Sequence, residues 1–476
     1  MNGKDVKGFF EDCKTAAKEI LEHVEKDGFI PIFCHNDPDG VTAGSILAKA
    51  VYRAGGDFLL RVIDRIDEKT VNEVRKIPSN FYVFAEIGSG YLDLLKPLSE
   101  QTKILVIDHH RPLEVSYPNL THVNPMLHGI DGAKEISGSG VCYFVAKNMG
   151  EENLDQSCLA IVGALGDLQD RTGNRCLESL NKQIVEEAEK RGLVEVTTDL
   201  LFYGRETRPI HKAIATTMNP FIPGLSGEED VCLGFIVNLG IPLKKDDHWR
   251  SVADLTHEEK QKIFSELTIY LSKKGFSGEA IFQLIGCVYT FLRENKWTPL
   301  RDAREFASIL NACLKMGRAG VAVALCLGNR GEALDEAQNL LNEYRKTIGH
   351  RISLLFEKPQ TIVEFENMYL VRCHGIVEER ILSPIATILS SSGGLNPNKP
   401  IIALTKTEDG GRIKVSARAN QTLVDKGLNL GVIMQNAAQK VGGQGGGHNI
   451  AAGATIPANE EENFVKFVSQ MIGLQR

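Results

Sequence analysis

The chain has 476 residues and a formal net charge of −7, enough length for two or three domains with cores of their own. Apolar residues at 43% and charged residues at 24% are ordinary for a soluble globular protein; the charged N-terminus lacks the apolar segment of a secretory signal, and no apolar run would span a bilayer. The acidic balance argues against a generally basic nucleic-acid binder, yet it leaves room for a local basic channel, because carboxylates that hold metals add to the negative count. Ten cysteines are present and none forms a C-x-x-C pair. Most sit inside apolar runs, so the expectation is buried, reduced thiols in a cytoplasmic protein.

Residues 5–26 read as an amphipathic helix with Phe9, Cys13, Ala17, Ile20 and Val24 near one face. Phe29–Cys34 reads as a strand, followed at once by His35-Asn36-Asp37-Pro38-Asp39-Gly40 and an Ala- and Leu-rich helix over 41–53. His35, Asp37 and Asp39 project together if the loop stays extended, a conformation Pro38 favours for Asp37. The competing reading is an Asp-Pro-Asp-Gly turn whose acids cap the helix, which leaves His35 unexplained. Further strands are predicted at 58–63, 81–85 and 103–107, with a short helix at 68–76 between the first two. The strand at 81–85 runs into Glu86-Ile87-Gly88, and the strand at 103–107 into Asp108-His109-His110. Strands and helices alternating at this spacing predict a parallel sheet. Its carboxyl edge, where such sheets place their ligands, would carry all these groups. Histidines after a strand are also common surface residues. Helices are predicted at 137–149 and 156–165; the second ends in Gly166-Asp167, an acid that could equally be a simple helix terminus.

Prolines at 209, 220 and 223 mark an exit from the first domain. Helical periodicity then covers 256–274, 278–294, 302–316 and 332–346. The stretch 310–318 reads as a helix ending in a Gly-Arg turn, with contact to a nucleic-acid backbone through Lys315 and Arg318 as the alternative. Strands follow at 361–366, 368–372, 401–405 and 412–417, with helices at 378–390, 431–441 and 460–472. Gly442–Gly447 is either a flexible linker or, with His448 and the small residues after it, a close approach of backbone to phosphate.

Five motifs in this order resemble the DHH phosphoesterase superfamily: His35-Asn-Asp37-Pro-Asp39-Gly40, Glu86-Ile-Gly88, Asp108-His109-His110, Gly163-x-x-Gly166-Asp167, and Gly445-Gly446-Gly447-His448 with Ser416-Ala-Arg418. The resemblance covers roughly 28–220 and 350–470. With its helical insertion, the layout is most similar to archaeal RecJ-like nucleases, including the GINS-associated nuclease. The fold implied is α/β: a parallel-sheet DHH domain over 1–225, a mainly helical insertion over 226–350, and a smaller α/β DHH-associated, substrate-binding domain over 351–476.

The resemblance implies one divalent cation held by His35, Asp37 and Glu86, and a second by Asp39, Glu86, His109 and Asp167. Manganese is expected, with magnesium the alternative. Asp108 and His110 would orient ligands or contact phosphate. Ser416, Arg418, Gly445, Gly446, Gly447 and His448 would bind substrate, and Arg111, Arg171 and Arg372 are candidates for backbone contacts from position. The activity implied is exonucleolytic hydrolysis of single-stranded DNA or RNA by a two-metal-activated water in replication or repair, away from any membrane. Two other readings stay open: a RecJ-like scaffold that binds GINS and the replicative helicase, and a phosphodiesterase for dinucleotides or short oligonucleotides. One departure stands out. The family carries Asp where this chain has Glu86, one methylene longer in a site tuned to metal separations of about 4 Å.

Overall fold

The computed structural model describes residues 4–26, 28–100, 102–171, 174–217, 222–273, 281–358, 360–391 and 395–475. The chain divides into two units: Met1–Ile214 with Leu233–Leu341, and Ala215–Cys232 with Asn342–Arg476.

The first unit is organised by a five-stranded, wholly parallel sheet. Its strands are β1 (Phe29–His35), β2 (Asp57–Ile63), β3 (Phe81–Ala85), β4 (Lys103–Ile107) and β5 (Leu120–Val123), in the spatial order β2-β1-β3-β4-β5. The strand order reverses between β1 and β3. In doubly wound sheets that switch point is where two connecting loops part and leave a crevice at the carboxyl ends. The apolar runs Ile30–Cys34, Phe81–Ala85 and Ile104–Ile107 are buried throughout, as strands covered on both faces must be. Helix α1 (Val6–Lys26) buries Phe9, Cys13, Ala16, Ala17 and Ile20, the stripe its periodicity predicts.

Helix α2 (Pro38–Arg53) begins three residues earlier than its apolar pattern suggests, with Pro38 at its first position and Asp37 as N-cap. The loop therefore stays extended only as far as Asp37, and Asp39 lies in the first helical turn. Helix α3 (Gly138–Lys147), capped by Ser137, and helix α4 (Ser157–Gly166) both pack on α2. They pack closely: a Cβ on Gly163 would lie 2.4 Å from Thr42 Oγ1.

The region 285–291 corrects the sequence reading. It is a strand, Ile285–Phe291, antiparallel to Val194–Leu200, not part of a helix. Its apolar spacing fits a helix, but its β-branched and aromatic content finds a partner strand, and pairing decides. Cys287 lies on it and forms a disulfide with Cys176, 111 residues away. The expectation of free thiols is thus wrong for this pair, which the fold and not a local spacing brings together; the other eight cysteines are free. The helices at His257–Lys273, Ala303–Lys315 and Glu332–Glu357 follow the predicted periodicity. Gly317 ends the second of these with a φ of +74°, and Arg318 pairs with Glu336, so this is a helix terminus and Arg318 is engaged.

The second unit holds a six-stranded sheet. In spatial order its strands are Ile362–Glu364, Tyr369–Arg372, Ile401–Lys406, Arg412–Arg418, Ala451–Pro457 and Gln444–Gly447. Leu370, Ile402, Leu404, Val415, Ile433 and Phe464 belong to its core. Gln444–Gly447 is one of the two edge strands, so it is not a flexible linker. Among the described residues no helix is long and apolar enough to cross a membrane.

Candidate metal centre

The carboxyl ends of β1, β3 and β4 and the first turn of α2 bring the acids and histidines of the first unit together. His35 is the last residue of β1. Its Nδ1 lies 2.8 Å from Asp37 Oδ2 and 3.2 Å from Glu86 Oε2. Asp37 caps α2 through its other oxygen, Oδ1, which accepts from the Gly40 amide at 2.8 Å. One carboxylate therefore serves both as helix cap and as a member of the cluster, so the two readings of the loop are not exclusive.

Glu86 follows β3 with a φ of +59°, a left-handed conformation that costs a non-glycine residue roughly 1–3 kcal/mol and concentrates at functional sites. Its amide is held by the Ile107 carbonyl at 2.7 Å. Its side chain is 2% exposed, with Oε1 3.4 Å from His109 Nε2 and 3.5 Å from His110 Nδ1. The room for its longer side chain comes from α3: a Cβ on Gly138 would lie 2.3 Å from Glu86 Cγ.

Asp39 is buried and accepts from the amides of Gly138 at 2.7 Å and Ser139 at 3.0 Å, the open first turn of α3. His109 donates from Nδ1 to the Gly132 carbonyl at 2.6 Å. A carbonyl can only accept, so in the neutral imidazole it is Nε2 that carries the lone pair. That Nε2 points into the cluster, 3.7 Å from Asp39 Oδ2 and 4.0 Å from Asp167 Oδ2.

Asp108 is built differently. It is buried, and its oxygens accept from the amides of Ser89, His109 and His110 and from His110 Nδ1. All its partners organise the loop, and His110 remains half exposed.

Among the described residues, three groups have ligand-type atoms within 4.8 Å of one another: His35, Asp37 and Glu86; Asp39, His109 and Asp167; and Glu86, Asp108, His109 and His110. His35 Nδ1, Glu86 Oε2 and His109 Nε2 are buried and without a hydrogen-bond partner, although other polar atoms approach them closely. Buried polar atoms almost always find partners. Carboxylate oxygens and imidazole nitrogens crowded together in this way are what a cation satisfies once the imidazoles are neutral, and oxygen with imidazole nitrogen suits a divalent ion such as manganese or magnesium.

The electrostatics show a cluster that retains protons where a cation would replace them. Burial and neighbouring carboxylates raise Asp39 to about 7 against the pull of His109, and burial likewise raises Asp167. Burial opposes the charged form of His35, but Asp37 and Glu86 lift it well above its ordinary value. Asp108, though buried, is held well below the carboxylate range by His110 and His109.

In the second unit, Ser416 and Arg418 lie on the strand Arg412–Arg418, and the register aligns Ser416, Gly453 and Gly446 across three strands. Ser416 is buried with its hydroxyl unpartnered. Arg418 donates from Nε to Thr387 Oγ1 at 2.8 Å. The glycines differ in what they do. A Cβ on Gly445 would lie 2.4 Å from the Met434 carbonyl, whereas one on Gly446 meets nothing within 4 Å. Gly447 has a φ of +133°, and His448 is exposed. Arg372, a candidate for backbone contact, is instead paired with Glu461 at 2.9 Å and Glu462 at 2.6 Å. Sequence reasoning missed Gly138, Gly132, Ser89 and Gln169, which hold the site residues in place. Only Gly138, in the run Ser137-Gly-Ser-Gly, carried a signal, as a helix opened by small residues.

Two family models match the chain: the DHH-CID domain over residues 202–285 and the DHHA1 domain over 366–474. The chain is 32% identical over 470 residues to Uncharacterized protein MJ0831 of Methanocaldococcus jannaschii, covering 97% of this chain and 96% of that one. Among solved structures, RecJ of Thermus thermophilus in complex with Mn2+ matches with a TM-score of 0.60 at 17% identity, covering 97% of this chain. The chain spans only 55% of that RecJ's length. CDC45 of Entamoeba histolytica matches with a TM-score of 0.64 at 13% identity, covering 98% of this chain and 99% of that one. The chain belongs to the DHH superfamily. Its fold, mixed α/β with a parallel sheet and a DHHA1 domain, is similar to that of the RecJ structures.

Proposed function

We propose that the protein is a divalent-metal-dependent nuclease that hydrolyses phosphodiesters in single-stranded nucleic acid from an end. The observation that carries this reading is the convergence of three buried, unpartnered ligand atoms, His35 Nδ1, Glu86 Oε2 and His109 Nε2, among Asp37, Asp39 and Asp167. A site retired from chemistry has no reason to keep such atoms without partners.

Divalent cations bound there supply charge neutralisation at the phosphodiester and activation of the attacking water. His35, Asp37 and Glu86 would hold one cation, and Asp39, His109 and Asp167 the other, with Glu86 lying beside both groups. Manganese fits the mixed nitrogen and oxygen donors, and an exonuclease RecJ of the same fold has been crystallised bound to manganese. Asp108 keeps His110 oriented beside Glu86, where the half-exposed imidazole can meet a phosphate oxygen. Arg418, the exposed His448 and the open Gly446 backbone would take the substrate's phosphates, with the buried Ser416 behind them on the same strand as Arg418.

The test is cleavage of an end-labelled single strand with manganese by the wild type, Asp39→Ala and Glu86→Asp. The wild type is expected to cut. Asp39→Ala should lose at least about 100-fold, since even groups that only orient ligands are worth 10–100-fold. A wild type inert with manganese and magnesium, together with cutting by Glu86→Asp, would overturn the proposal in favour of a silenced scaffold. A second reading is the scaffold role that the family resemblance implies, binding GINS and the replicative helicase; the CDC45-like fold is compatible with it. A pull-down with purified GINS that recovers none of this protein would remove it.

A further inference from the structure

Gln169 lies two residues beyond Asp167 and is 2% exposed. The chain turns inward there because α4 ends in a pair of back-bonds, Leu168 N–H to the Leu165 carbonyl at 3.2 Å and Gln169 N–H to the Ala164 carbonyl at 3.0 Å. This is a Schellman ending with Leu168 in the left-handed position at a φ of +60°.

The buried amide has a defined set of partners. Its Nε2 donates to Asp167 Oδ2 at 2.8 Å and to the Gly132 carbonyl at 2.8 Å, with the Ile136 carbonyl at 3.3 Å. Its Oε1 accepts from Asn181 Nδ2 at 2.6 Å. The opposite orientation of the amide would aim an oxygen at a carboxylate and a carbonyl, so its sense is fixed. The Gly132 carbonyl is also the acceptor for His109 Nδ1. Asn181 Oδ1 accepts in turn from the Ser137 amide at 3.4 Å, and Ser137 caps α3, whose first amides hold Asp39. One side chain thus reaches Asp167 directly, His109 through one carbonyl, and Asp39 through Asn181 and the start of α3. The His35–Asp37–Glu86 group stands on β1, α2 and β3, and none of the hydrogen bonds of Gln169 leads to it.

We propose that Gln169 is the positioning residue of the Asp39–His109–Asp167 group, and that it sets the affinity of that group's cation without setting the other's. The inference rests on the two-cation reading above and adds which residue makes the two sites unequal. Gln169→Met keeps the bulk and removes all four hydrogen bonds. Asn181→Ala leaves Gln169 and its bonds to Asp167 and Gly132 in place, and removes the donor to its Oε1 together with the acceptor of the Ser137 amide.

The experiment is a titration of chelator-treated, full-length protein with Mn2+, followed by the electron paramagnetic resonance of the free ion, with a thermal melt of each variant. Wild type is expected to take up two ions. Gln169→Met should keep the tighter one unchanged and bind the other about 10–100-fold more weakly, the usual loss when a ligand's hydrogen-bond partner is removed. Asn181→Ala should shift the same ion by less, and decides the matter if Gln169→Met does not fold. Both ions retained at wild-type affinity, or both weakened together with a lowered melting temperature, would overturn the inference while leaving the two-cation reading intact. A wild type that binds fewer than two ions overturns the reading beneath it, and the inference with it.

Discussion

Asp39 holds its proton up to about 7 while no cation is bound, against about 4 for an ordinary carboxylate. A folded-state value raised in this way stabilises the protein below the unfolded value, and the stabilisation is lost as pH rises through the folded one. His35, also raised, works in the same direction. Chelated protein is therefore expected to melt at lower temperature at pH 8 than at pH 5. A cation reverses the balance, because Asp39 must be ionised to bind it and the proton is released. The rise in melting temperature on adding Mn2+ should be larger at pH 8 than at pH 6, with calorimetric proton release greatest near or below pH 7. Equal rises at the two pH values would show that Asp39 is not a ligand.

The segments that meet at this cluster are short, and their types were legible. β1, β3 and β4 are apolar runs bounded by polar or glycine-rich loops, and such runs declare themselves within a few residues. What the residues hid was the local bend: Pro38 reads as a promoter of extension at Asp37, yet it also opens α2 and carries Asp39 into the helix. Residues 285–291 were illegible for another reason, since the strand exists only through pairing with Val194–Leu200. The glycines of 445–447 looked equivalent in sequence, but the neighbouring helix separates them. Gly445→Ala would drive a methyl against the Met434 carbonyl of the helix Leu430–Lys440 and is expected to cost about 1–3 kcal/mol. Gly446→Ala meets open space and should leave the thermal melt nearly unchanged. In the first unit, Asp170 is fully buried between Arg175 and Arg304 and fastens the turn after α4 to the helix Ala303–Lys315. Asp170→Ala strands two arginines and should destabilise by about 3–5 kcal/mol in urea denaturation.

At the scale of the whole chain, the disulfide between Cys176 and Cys287 closes a loop of 111 residues within the first unit. Limiting the unfolded chain in this way is worth roughly 2–4 kcal/mol. Cys287→Ser, or reduction of the wild type with dithiothreitol, should lower the denaturation midpoint by that measure, and the two treatments together should do no more than either alone. The division into units has a different consequence. Ala215–Cys232 belongs to the unit completed by Asn342–Arg476, yet Leu233–Leu341 returns to the first. Read in the order a ribosome delivers it, the segment leaves the exit tunnel about a hundred residues before the rest of its unit exists, and domains assemble as units during synthesis. It must wait without its final neighbours while Leu233–Leu341 is made, so the second unit is completed only after the whole of the first has been synthesised.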